Sequence, residues 1–356
     1  MDLTPLSGHK VVNQEKLELT KLMFGAGTFS GLYNALENDW PLRAAQRAFE
    51  LGTNYTNLFI INTSRALNNT RINGFDTSPY YGDSEIILGD ALHALRHKYP
   101  RNTYYIATKV GRYGPLKKDF DYSPERVEKS VNDSLARLKT EYLDIVYAHD
   151  VEFVEVEDVV GVNGALSKLF ELKRKKKIRY VGISGYPLDV LLKIAKIQHD
   201  RHQPIDIILT YCHYTLQNTL LVDYIQKFRK EAEVKYVLNA SPLSMGLLRD
   251  KPPPNWHPAS TELKNAVRKC AEIATNEYRQ NISKLAVQFS LGYDEVESTV
   301  IGFSNNHEVE ESVAWLHEVE SLKLNGNTIM QTQLFDKIKN ILAPYYNQTW
   351  ASPPPE

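Results

Sequence analysis

Four ionisable residues, Asp76, Tyr81, Lys109 and His149, stand out because each lies at or just beyond the end of a short apolar stretch. A lysine at the end of a buried strand is desolvated, which lowers its pKa unless a carboxylate pairs with it, and Asp76 can be that partner. A lysine directed at a phenol lowers the pKa of the tyrosine, which makes Tyr81 a usable proton donor or acceptor. His149 can orient a substrate oxygen through a hydrogen bond. Together these residues predict a proton-transfer site.

Three of the four residues, Lys109, His149 and Tyr81, also have a simpler explanation. A single lysine at a strand end is more often a solvated charge. His149 alone can equally be a hydrogen-bonded core histidine, and Tyr81 is one of 21 tyrosines. What distinguishes the four is that they fall at equivalent ends of successive structural units.

The elements that position these residues alternate between short apolar runs and longer amphipathic runs. The short runs are nearly continuous in apolar residues, which is typical of parallel strands buried on both faces. Eight strands are expected, near residues 22–24, 74–76, 105–109, 143–149, 179–184, 205–211, 235–241 and 299–302. Between them lie helical patterns, one of which begins at Ser123 and Pro124, a capping residue followed by a residue suited to the first turn. Eight such units predict an α/β fold of the (β/α)8 TIM-barrel type, with functional residues at the carboxyl ends of the strands.

A doubly wound dinucleotide-binding sheet is the alternative α/β architecture. It requires a Gly-x-Gly-x-x-Gly turn between an early strand and a helix. After Gly25 and Gly27 the third glycine, Gly31, comes one place late, and no clear helix start follows. The sequence therefore favours the barrel.

Length and charge narrow the class of protein further. The chain has 356 residues, with 42 lysines and arginines against 43 acidic residues, and 42% of its residues are hydrophobic. This balance excludes disorder and excludes nucleic-acid binding through bulk positive charge. Two cysteines are too few for a disulfide framework or a four-cysteine zinc site, so no metal is expected. Without a signal-like N-terminus or an apolar stretch of about 18 residues, we expect a cytoplasmic protein without membrane contact.

We expect a single domain over residues 1–356, with the barrel core at about 19–318. Residues 53–71 are rich in Asn and Thr and show no period, so they are either a genuine loop at the amino-terminal face of the barrel or the product of an unspliced intron. Residues 326–356 contain a predicted helix at 334–342 and a proline-rich end. We interpret this last segment as a lid or a frayed terminus rather than a second domain.

The segments that carry the four residues resemble the aldo-keto reductase superfamily. Residues 75–85 (FDTSPYYGDSE) are similar to its aspartate-to-tyrosine signature, 107–111 (ATKVG) to its lysine strand, and 144–150 (DIVYAHD) to its histidine strand. Residues 181–184 (VGIS) match the strand whose serine binds the nicotinamide carboxamide. Within the superfamily the likeness is strongest to the sugar dehydrogenases that oxidise L-galactose in plants and D-arabinose in fungi.

The resemblance implies an NAD-dependent aldose 1-dehydrogenase acting on D-arabinose, with L-galactose and L-fucose as related sugars. Tyr81 would take the proton of the anomeric hydroxyl, and Lys109, paired with Asp76, would favour the phenolate. His149 would orient the reacting oxygen while hydride passes from the sugar C1 to the nicotinamide, giving a lactone. The implied cofactor-binding residues are Gly27, Thr28, Phe29, Ser184, Ser241, Leu243, Gly302, Ser304, Glu308 and Glu311.

Three positions depart from the family pattern. Many members have Gln where this chain has Leu209, and a ring-stacking Tyr where it has Ala240. Neither residue is assigned a role. Asn often follows the carboxamide serine, whereas here Gly185 follows it, which leaves one side-chain hydrogen bond fewer.

Glu308 bears on the choice between NAD and NADP. NADP-dependent members usually have Arg at this position, where it pairs with the 2′-phosphate. Glu308 would repel that phosphate and can accept a hydrogen bond from a free ribose 2′-hydroxyl. A glutamate at the start of a helix is also favoured by the helix dipole, and the two roles are compatible. The sequence favours NAD.

Two other functions remain open. One is an NADP-dependent aldehyde or ketone reductase of the same superfamily, and the other is a barrel that binds nucleotide without turnover. The intact set of four residues argues against the second. A near-neutral chain suits a neutral sugar substrate, which needs no global field for capture. The oligomeric state does not follow from the sequence.

Overall fold

All eight expected strands are present and close into one parallel barrel in the computed structural model, which describes residues 12–13, 15–31, 39–51 and 72–350. Each strand pairs with the next along the chain, and the last pairs with the first. The strands are β1 (Leu22–Gly25), β2 (Ile72–Asp76), β3 (Tyr105–Val110), β4 (Leu143–His149), β5 (Ile178–Gly185), β6 (Ile207–Tyr211), β7 (Tyr236–Ala240) and β8 (Ser298–Gly302). The predicted (β/α)8 barrel is confirmed.

Helices surround the barrel and follow the strands in sequence. The eight that form the outer ring are α1 (Trp40–Leu51), α2 (Ser84–Leu95), α3 (Pro124–Arg137), α5 (Ala165–Arg174), α6 (Leu188–Asp200), α7 (Leu221–Ala232), α9 (Ile282–Leu291) and α10 (Asn306–Leu324). Among the described residues, three further helices lie outside this alternation: α4 (Val156–Val160), α8 (Thr261–Tyr278) and α11 (Gln333–Leu342). Within the described residues, no helix is both long and apolar enough to cross a lipid bilayer.

Local sequence explains how these helices begin and pack. Ser123 Oγ accepts a hydrogen bond from Arg126 N at 3.4 Å, and Pro124 occupies the first helical position, as the sequence predicts. Gly89 lets α2 approach the end of α3, because a Cβ atom at this position would lie only 2.1 Å from Arg137 O. The ring of helices therefore depends on a small residue at a close backbone contact.

The core has two layers, one between strands and helices and one inside the barrel. The inner layer is closed at the amino-terminal end by residues that precede β1. Leu17 N donates to Tyr236 Oη at 3.3 Å, and Glu18 N donates to Tyr105 Oη at 3.1 Å. Because this end is filled, the carboxyl ends of the strands form the accessible mouth.

The C-terminal segment returns to that mouth. The helix predicted at 334–342 is α11, which packs against α8. Beyond it, the buried Gln217 side chain donates from Nε2 to Tyr345 O at 2.6 Å, and Trp350 stacks on Tyr186 with ring centroids 5.8 Å apart. Residues 351–356 and the segment 53–71 lie outside the described residues.

Candidate active site

The structure brings Asp76, Tyr81, Lys109 and His149 together at the carboxyl-terminal mouth. Asp76 ends β2, Lys109 lies one residue before the end of β3, and His149 ends β4. The Tyr81 ring meets the His149 ring edge-on, with centroids 5.9 Å apart, and Lys109 Nζ lies 4.8 Å from the Tyr81 ring centroid. Adjacent parallel strands end at the same rim, which explains why residues distant in the chain meet here.

Lys109 and Asp76 form a buried ion pair, as predicted. Lys109 Nζ donates to Asp76 Oδ1 at 2.6 Å and to Thr77 O at 2.9 Å. Burial raises the pKa of Asp76, and the Lys109 charge opposes that rise. The second carboxylate oxygen, Oδ2, is buried and has no hydrogen-bond partner among the described residues. The lysine therefore offsets part of the cost of burying the aspartate carboxylate.

The Tyr81 phenol differs from the expectation. Burial raises its pKa well above 10, and the negative charges of Asp76 and Asp150 raise it further, with only Arg112 among the principal charges opposing them. The prediction that Lys109 lowers this pKa is wrong for this structure. Lys109 directs its proton donors at Asp76 and Thr77, so its charge is largely matched by the carboxylate. Tyr81 is therefore a protonated phenol at neutral pH.

His149 is held between a hydroxyl and a carboxylate. Its Nδ1 lies 3.2 Å from Ser78 Oγ, and its Nε2 lies 3.5 Å from Asp150 Oδ2. Burial lowers the pKa of His149 to about 3, although Asp150 acts in the opposite direction. The ring is thus neutral at physiological pH, with one nitrogen able to donate and the other able to accept.

Three further residues at the mouth were not identified from the sequence. Arg112 Nη1 donates to Asp150 Oδ2 at 2.5 Å, and Nη2 donates to Tyr80 Oη at 3.0 Å. The guanidinium carbon also lies 3.9 Å from the Tyr80 ring centroid, a cation–π contact. A signal was available, because Asp150 directly follows β4 and Arg112 follows β3 by two residues. The rule that selected Lys109 and His149 also applies to them.

Ser184, which the resemblance implies as the residue that binds the nicotinamide carboxamide, lies one residue before the end of β5. It pairs with His149 across the β4–β5 ladder, and its buried Oγ has no hydrogen-bond partner among the described residues. A buried hydroxyl without a partner is unfavourable unless a ligand completes it. Ser184 therefore fits the group that the resemblance implies.

The first loop, which follows β1, contains three of the predicted cofactor-binding residues. Gly27 faces the Tyr81 ring, since a Cβ atom at Gly27 would lie 3.4 Å from that ring. Thr28 Oγ1 donates to Phe303 O at 2.6 Å. The Phe29 side chain packs in the core against Phe24, with ring centroids 5.7 Å apart, so only its backbone can face a ligand.

The loop after β7 carries Ser241 and Leu243 and has an unusual backbone. Ser241, Ser244 and Met245 have φ values of 55°, 50° and 52°, in the left-handed region that non-glycine residues seldom adopt. Such strain is concentrated at functional sites. Leu209 is buried inside the barrel, and Ala240 ends β7 beside this loop.

Gly185 leaves space that a carboxylate occupies. A Cβ atom at Gly185 would lie 2.5 Å from Glu152 Oε2, and Glu152 Oε1 accepts from Tyr186 N at 3.0 Å. Burial, with the nearby Asp150 charge, raises the pKa of Glu152 to about 8. The position at which the resemblance implies Asn therefore has the Glu152 carboxylate beside it.

The segment from Gly302 to Glu311 joins β8 to α10. Ser304 N donates to Glu308 Oε2 at 2.7 Å, and Glu308 N donates to Asn305 Oδ1 at 3.0 Å. Burial and the neighbouring Glu311 raise the pKa of Glu308. The carboxylate thus closes the helix start, as the simpler interpretation of Glu308 expects. A Cβ atom at Gly302 would lie 2.8 Å from Thr28 Cγ2, so glycine permits the first loop to pack on β8.

A closed parallel barrel with this ion pair, phenol and imidazole at its mouth has the architecture of a nicotinamide-dependent oxidoreductase. The family model described as "Aldo/keto reductase family" matches residues 21–323. This protein belongs to the aldo/keto reductase family. The chain is 38% identical over 340 residues to L-galactose dehydrogenase of Arabidopsis thaliana, covering 94% of each chain. It is 40% identical over 294 residues to D-arabinose 1-dehydrogenase of Saccharomyces cerevisiae, covering 80% of this chain and 85% of the relative.

Solved structures share the fold. An aldo-keto reductase from Bacillus halodurans in its holo form superposes with a TM-score of 0.61 at 23% identity, covering 96% of both chains. A glycerol dehydrogenase from Gluconobacter oxydans superposes with a TM-score of 0.62 at 19% identity, covering 98% of this chain and 99% of that one. At these identities the likeness establishes the barrel architecture alone.

Proposed function

We propose that this protein oxidises a cyclic aldose at C1 to the aldonolactone, with NAD as hydride acceptor. D-arabinose is the first candidate substrate, and L-galactose and L-fucose are related candidates. The observation that carries the proposal is the contact set of Lys109, Asp76, Tyr81 and His149 at one mouth. The names of the two relatives with about 40% identity support the choice of sugar.

The side chains divide the work of this reaction. When bound, the nicotinamide ring supplies the hydride acceptor. Ser184 would hold its carboxamide through the hydroxyl that lacks a protein partner. Tyr81 would receive the proton of the anomeric hydroxyl, and Lys109, 4.8 Å from its ring centroid, would stabilise the phenolate as it forms. Because the pKa of Tyr81 is raised, the oxidation direction is favoured by alkaline pH.

Ser78 is part of how His149 would orient the substrate. Ser78 Oγ accepts from Tyr80 N at 3.1 Å and lies 3.2 Å from His149 Nδ1, to which it would donate its own proton. The imidazole proton would then reside on Nε2, the nitrogen that lies 3.5 Å from Asp150 Oδ2. A neutral imidazole with its proton on Nε2 donates to the reacting oxygen throughout the reaction.

NAD is proposed over NADP because of charge at the start of α10. Glu308 and Glu311 place two carboxylates beside the turn that follows β8. A 2′-phosphate in this region would meet like charges, whereas a free 2′-hydroxyl could donate to a carboxylate. The alternatives are an NADP-dependent aldehyde or ketone reductase and a barrel that binds nucleotide without turnover.

One assay separates these three functions. Purified protein is mixed with D-arabinose, L-galactose or L-fucose and either NAD or NADP, and reduced nicotinamide is followed by absorbance. We expect NADH formation with at least one of the sugars and slower or no reaction with NADP. Aldehyde reduction with NADPH alone would support the reductase. Nucleotide binding without turnover in either direction would support the non-catalytic barrel.

A further inference from the structure

The ion pair between Asp150 and Arg112 is the feature of the mouth that the proposed mechanism does not use. Asp150 is 4% exposed, and the Arg112 side chain is 17% exposed. Asp150 Oδ2 accepts from Arg112 Nη1 at 2.5 Å and lies 3.5 Å from His149 Nε2. Both contacts involve Oδ2, and within the part of the chain that the structure describes the other carboxylate oxygen, Oδ1, has no hydrogen bond, so it is the one left for a ligand.

A second aspartate on the same strand shows what a purely structural ion pair looks like. Asp144, near the start of β4, uses both oxygens: Oδ1 accepts from Arg179 Nη1 at 2.6 Å, and Oδ2 accepts from Arg101 Nη2 at 2.6 Å. Oδ2 also accepts from Ile106 N at 2.8 Å. Asp144 is fully engaged by the protein, whereas Asp150 is engaged on one side only.

The backbone at Asp150 is also held in a costly conformation. Its φ and ψ are 52° and 55°, in the left-handed region, directly after the strand that ends at His149. Tyr122 Oη donates to His149 O and lies 3.3 Å from Asp150 O, which fixes this turn. Strain of this kind persists where the surroundings impose it and is concentrated at ligand sites. The turn directs the carboxylate back over the imidazole.

We propose that Asp150 and Arg112 bind the sugar hydroxyl on C2, next to the carbon that is oxidised. The inference rests on the proposed function, because His149 Nε2 must face the oxygen on C1. The Asp150 carboxylate lies beside the imidazole, with 3.5 Å between His149 Nε2 and Oδ2, so a sugar whose C1 oxygen meets Nε2 has its neighbouring C2 oxygen close to Asp150.

The chemistry of the pair suits a hydroxyl group. A hydroxyl donates one proton and accepts through its lone pairs, and the ion pair offers a carboxylate acceptor beside guanidinium donors. Tyr80 holds the guanidinium in place by accepting from Nη2 and by stacking beneath it. The Arg112 guanidinium is therefore held between Asp150 and Tyr80, and both members of the ion pair are largely buried.

This assignment predicts selection for 2-hydroxy aldoses. A sugar without the 2-hydroxyl would leave the carboxylate of Asp150 desolvated without a replacement donor, and sites built for a hydroxyl reject such analogues strongly. The loss of the electron-withdrawing hydroxyl does not by itself hinder hydride departure from C1. Discrimination against 2-deoxy sugars must therefore come from the protein.

The test compares D-arabinose with 2-deoxy-D-ribose, which is D-arabinose lacking its 2-hydroxyl. For the unmodified enzyme we expect kcat/KM to favour D-arabinose by at least about tenfold, the size of one charged hydrogen bond. Asn tolerates the left-handed backbone conformation, so Asp150→Asn should fold. This variant should reduce the ratio about tenfold, chiefly by slowing the oxidation of D-arabinose. Arg112→Lys should reduce the ratio in the same direction and serves if Asp150→Asn does not fold.

Asp144→Asn is the matched control, because it weakens a buried ion pair on the same strand away from the mouth. It should lower the thermal midpoint while leaving the substrate ratio unchanged. An unchanged ratio in Asp150→Asn, or equal use of both sugars by the unmodified enzyme, overturns the inference alone. No turnover with D-arabinose, L-galactose or L-fucose refutes the proposed function and this inference with it.

Discussion

Removing Lys109 separates its structural role from its proposed catalytic role. Lys109 is almost completely buried, and its Nζ lies 2.6 Å from the equally buried Asp76 carboxylate. Lys109→Met leaves that carboxylate without its partner, and breaking one side of a buried pair costs about 3–5 kcal/mol. Unfolding entropy is about 2.1 cal/mol/K per residue, or about 0.75 kcal/mol/K for 356 residues. We therefore expect the melting temperature to fall by about 4–7 °C at neutral pH.

The loss should depend on pH with a definite sign. Burial already raises the pKa of Asp76, and without Lys109 nothing opposes that rise. A carboxyl whose folded pKa lies above its unfolded pKa contributes stability that is complete below the unfolded pKa and is lost as pH rises through the folded pKa. The deficit of Lys109→Met relative to the unmodified protein should thus shrink in acid and grow toward neutral pH.

A double variant, Lys109→Met with Asp76→Asn, completes the cycle. Both charges are then gone, and the remaining defect is Thr77 O, which loses the donor that lay 2.9 Å away. We expect the double variant to lose about 1–3 kcal/mol in free energy of unfolding, which is no more than the smaller of the losses in Lys109→Met and Asp76→Asn. Urea unfolding at pH 7 measures this free energy for the two single variants and the double variant. Strictly additive losses would show that the ion pair is not coupled as the geometry indicates.

Turnover should not follow stability in this cycle. The double variant, although more stable than Lys109→Met, still lacks the cation that lies 4.8 Å from the Tyr81 ring centroid in the unmodified protein. We expect kcat for sugar oxidation to remain lower by about 10²–10⁴-fold, the contribution typical of assisted proton transfer. Recovery of turnover together with stability would refute the catalytic role and leave Lys109 as a structural residue.

Three further outcomes are expected. Tyr81→Phe should keep the ring packing and the cofactor affinity yet lower kcat by about 10²–10⁴-fold. The control at the neighbouring residue, Tyr80→Phe, should lower kcat by less than about tenfold. Equal losses of kcat in the two variants would contradict the role assigned to Tyr81. The pH profile of kcat/KM should rise with pH and show no break near the ordinary histidine value, because burial holds the pKa of His149 at about 3. Glu308→Arg should shift the ratio of kcat/KM with NADP to kcat/KM with NAD toward NADP by about 10–100-fold. The control is Glu308→Gln, which keeps an acceptor for Ser304 N. An unchanged ratio in Glu308→Arg would refute the charge argument.

The barrel could be predicted because its strands carry their own signal. Each strand is a short apolar run, and its burial on both faces is encoded locally. The residues at which strands end were harder to predict from the sequence, because a strand end can depend on the dihedral angles of a single residue. Residues 235–241 were expected to be one strand, but β7 ends at Ala240 because Ser241 adopts a φ of 55°. The helices α4 and α8 are extra helices between a strand and its outer-ring helix, and the alternation of strands and helices does not predict them.

The positions of the site residues could be predicted, whereas their electrostatics could not. The carboxyl-end rule located Asp76, Lys109 and His149 from the sequence. The pKa of Tyr81 depends first on its burial and then on charges from several segments, among them Asp150 and Arg112, and both need coordinates. A pairwise argument from Lys109 to Tyr81 therefore gave the wrong direction.

Strand β4 shows how one fold separates stability from chemistry. Near its amino end, Asp144 is saturated by two arginines and a backbone amide. Beyond its carboxyl end, Asp150 meets one arginine, bends the chain into the left-handed region and lies beside an imidazole. Only a carboxylate with an uncommitted oxygen can respond to a ligand without losing a protein contact. The difference between the two aspartates is therefore one of unsatisfied capacity rather than charge, and in a barrel that capacity lies at the end where substrates enter.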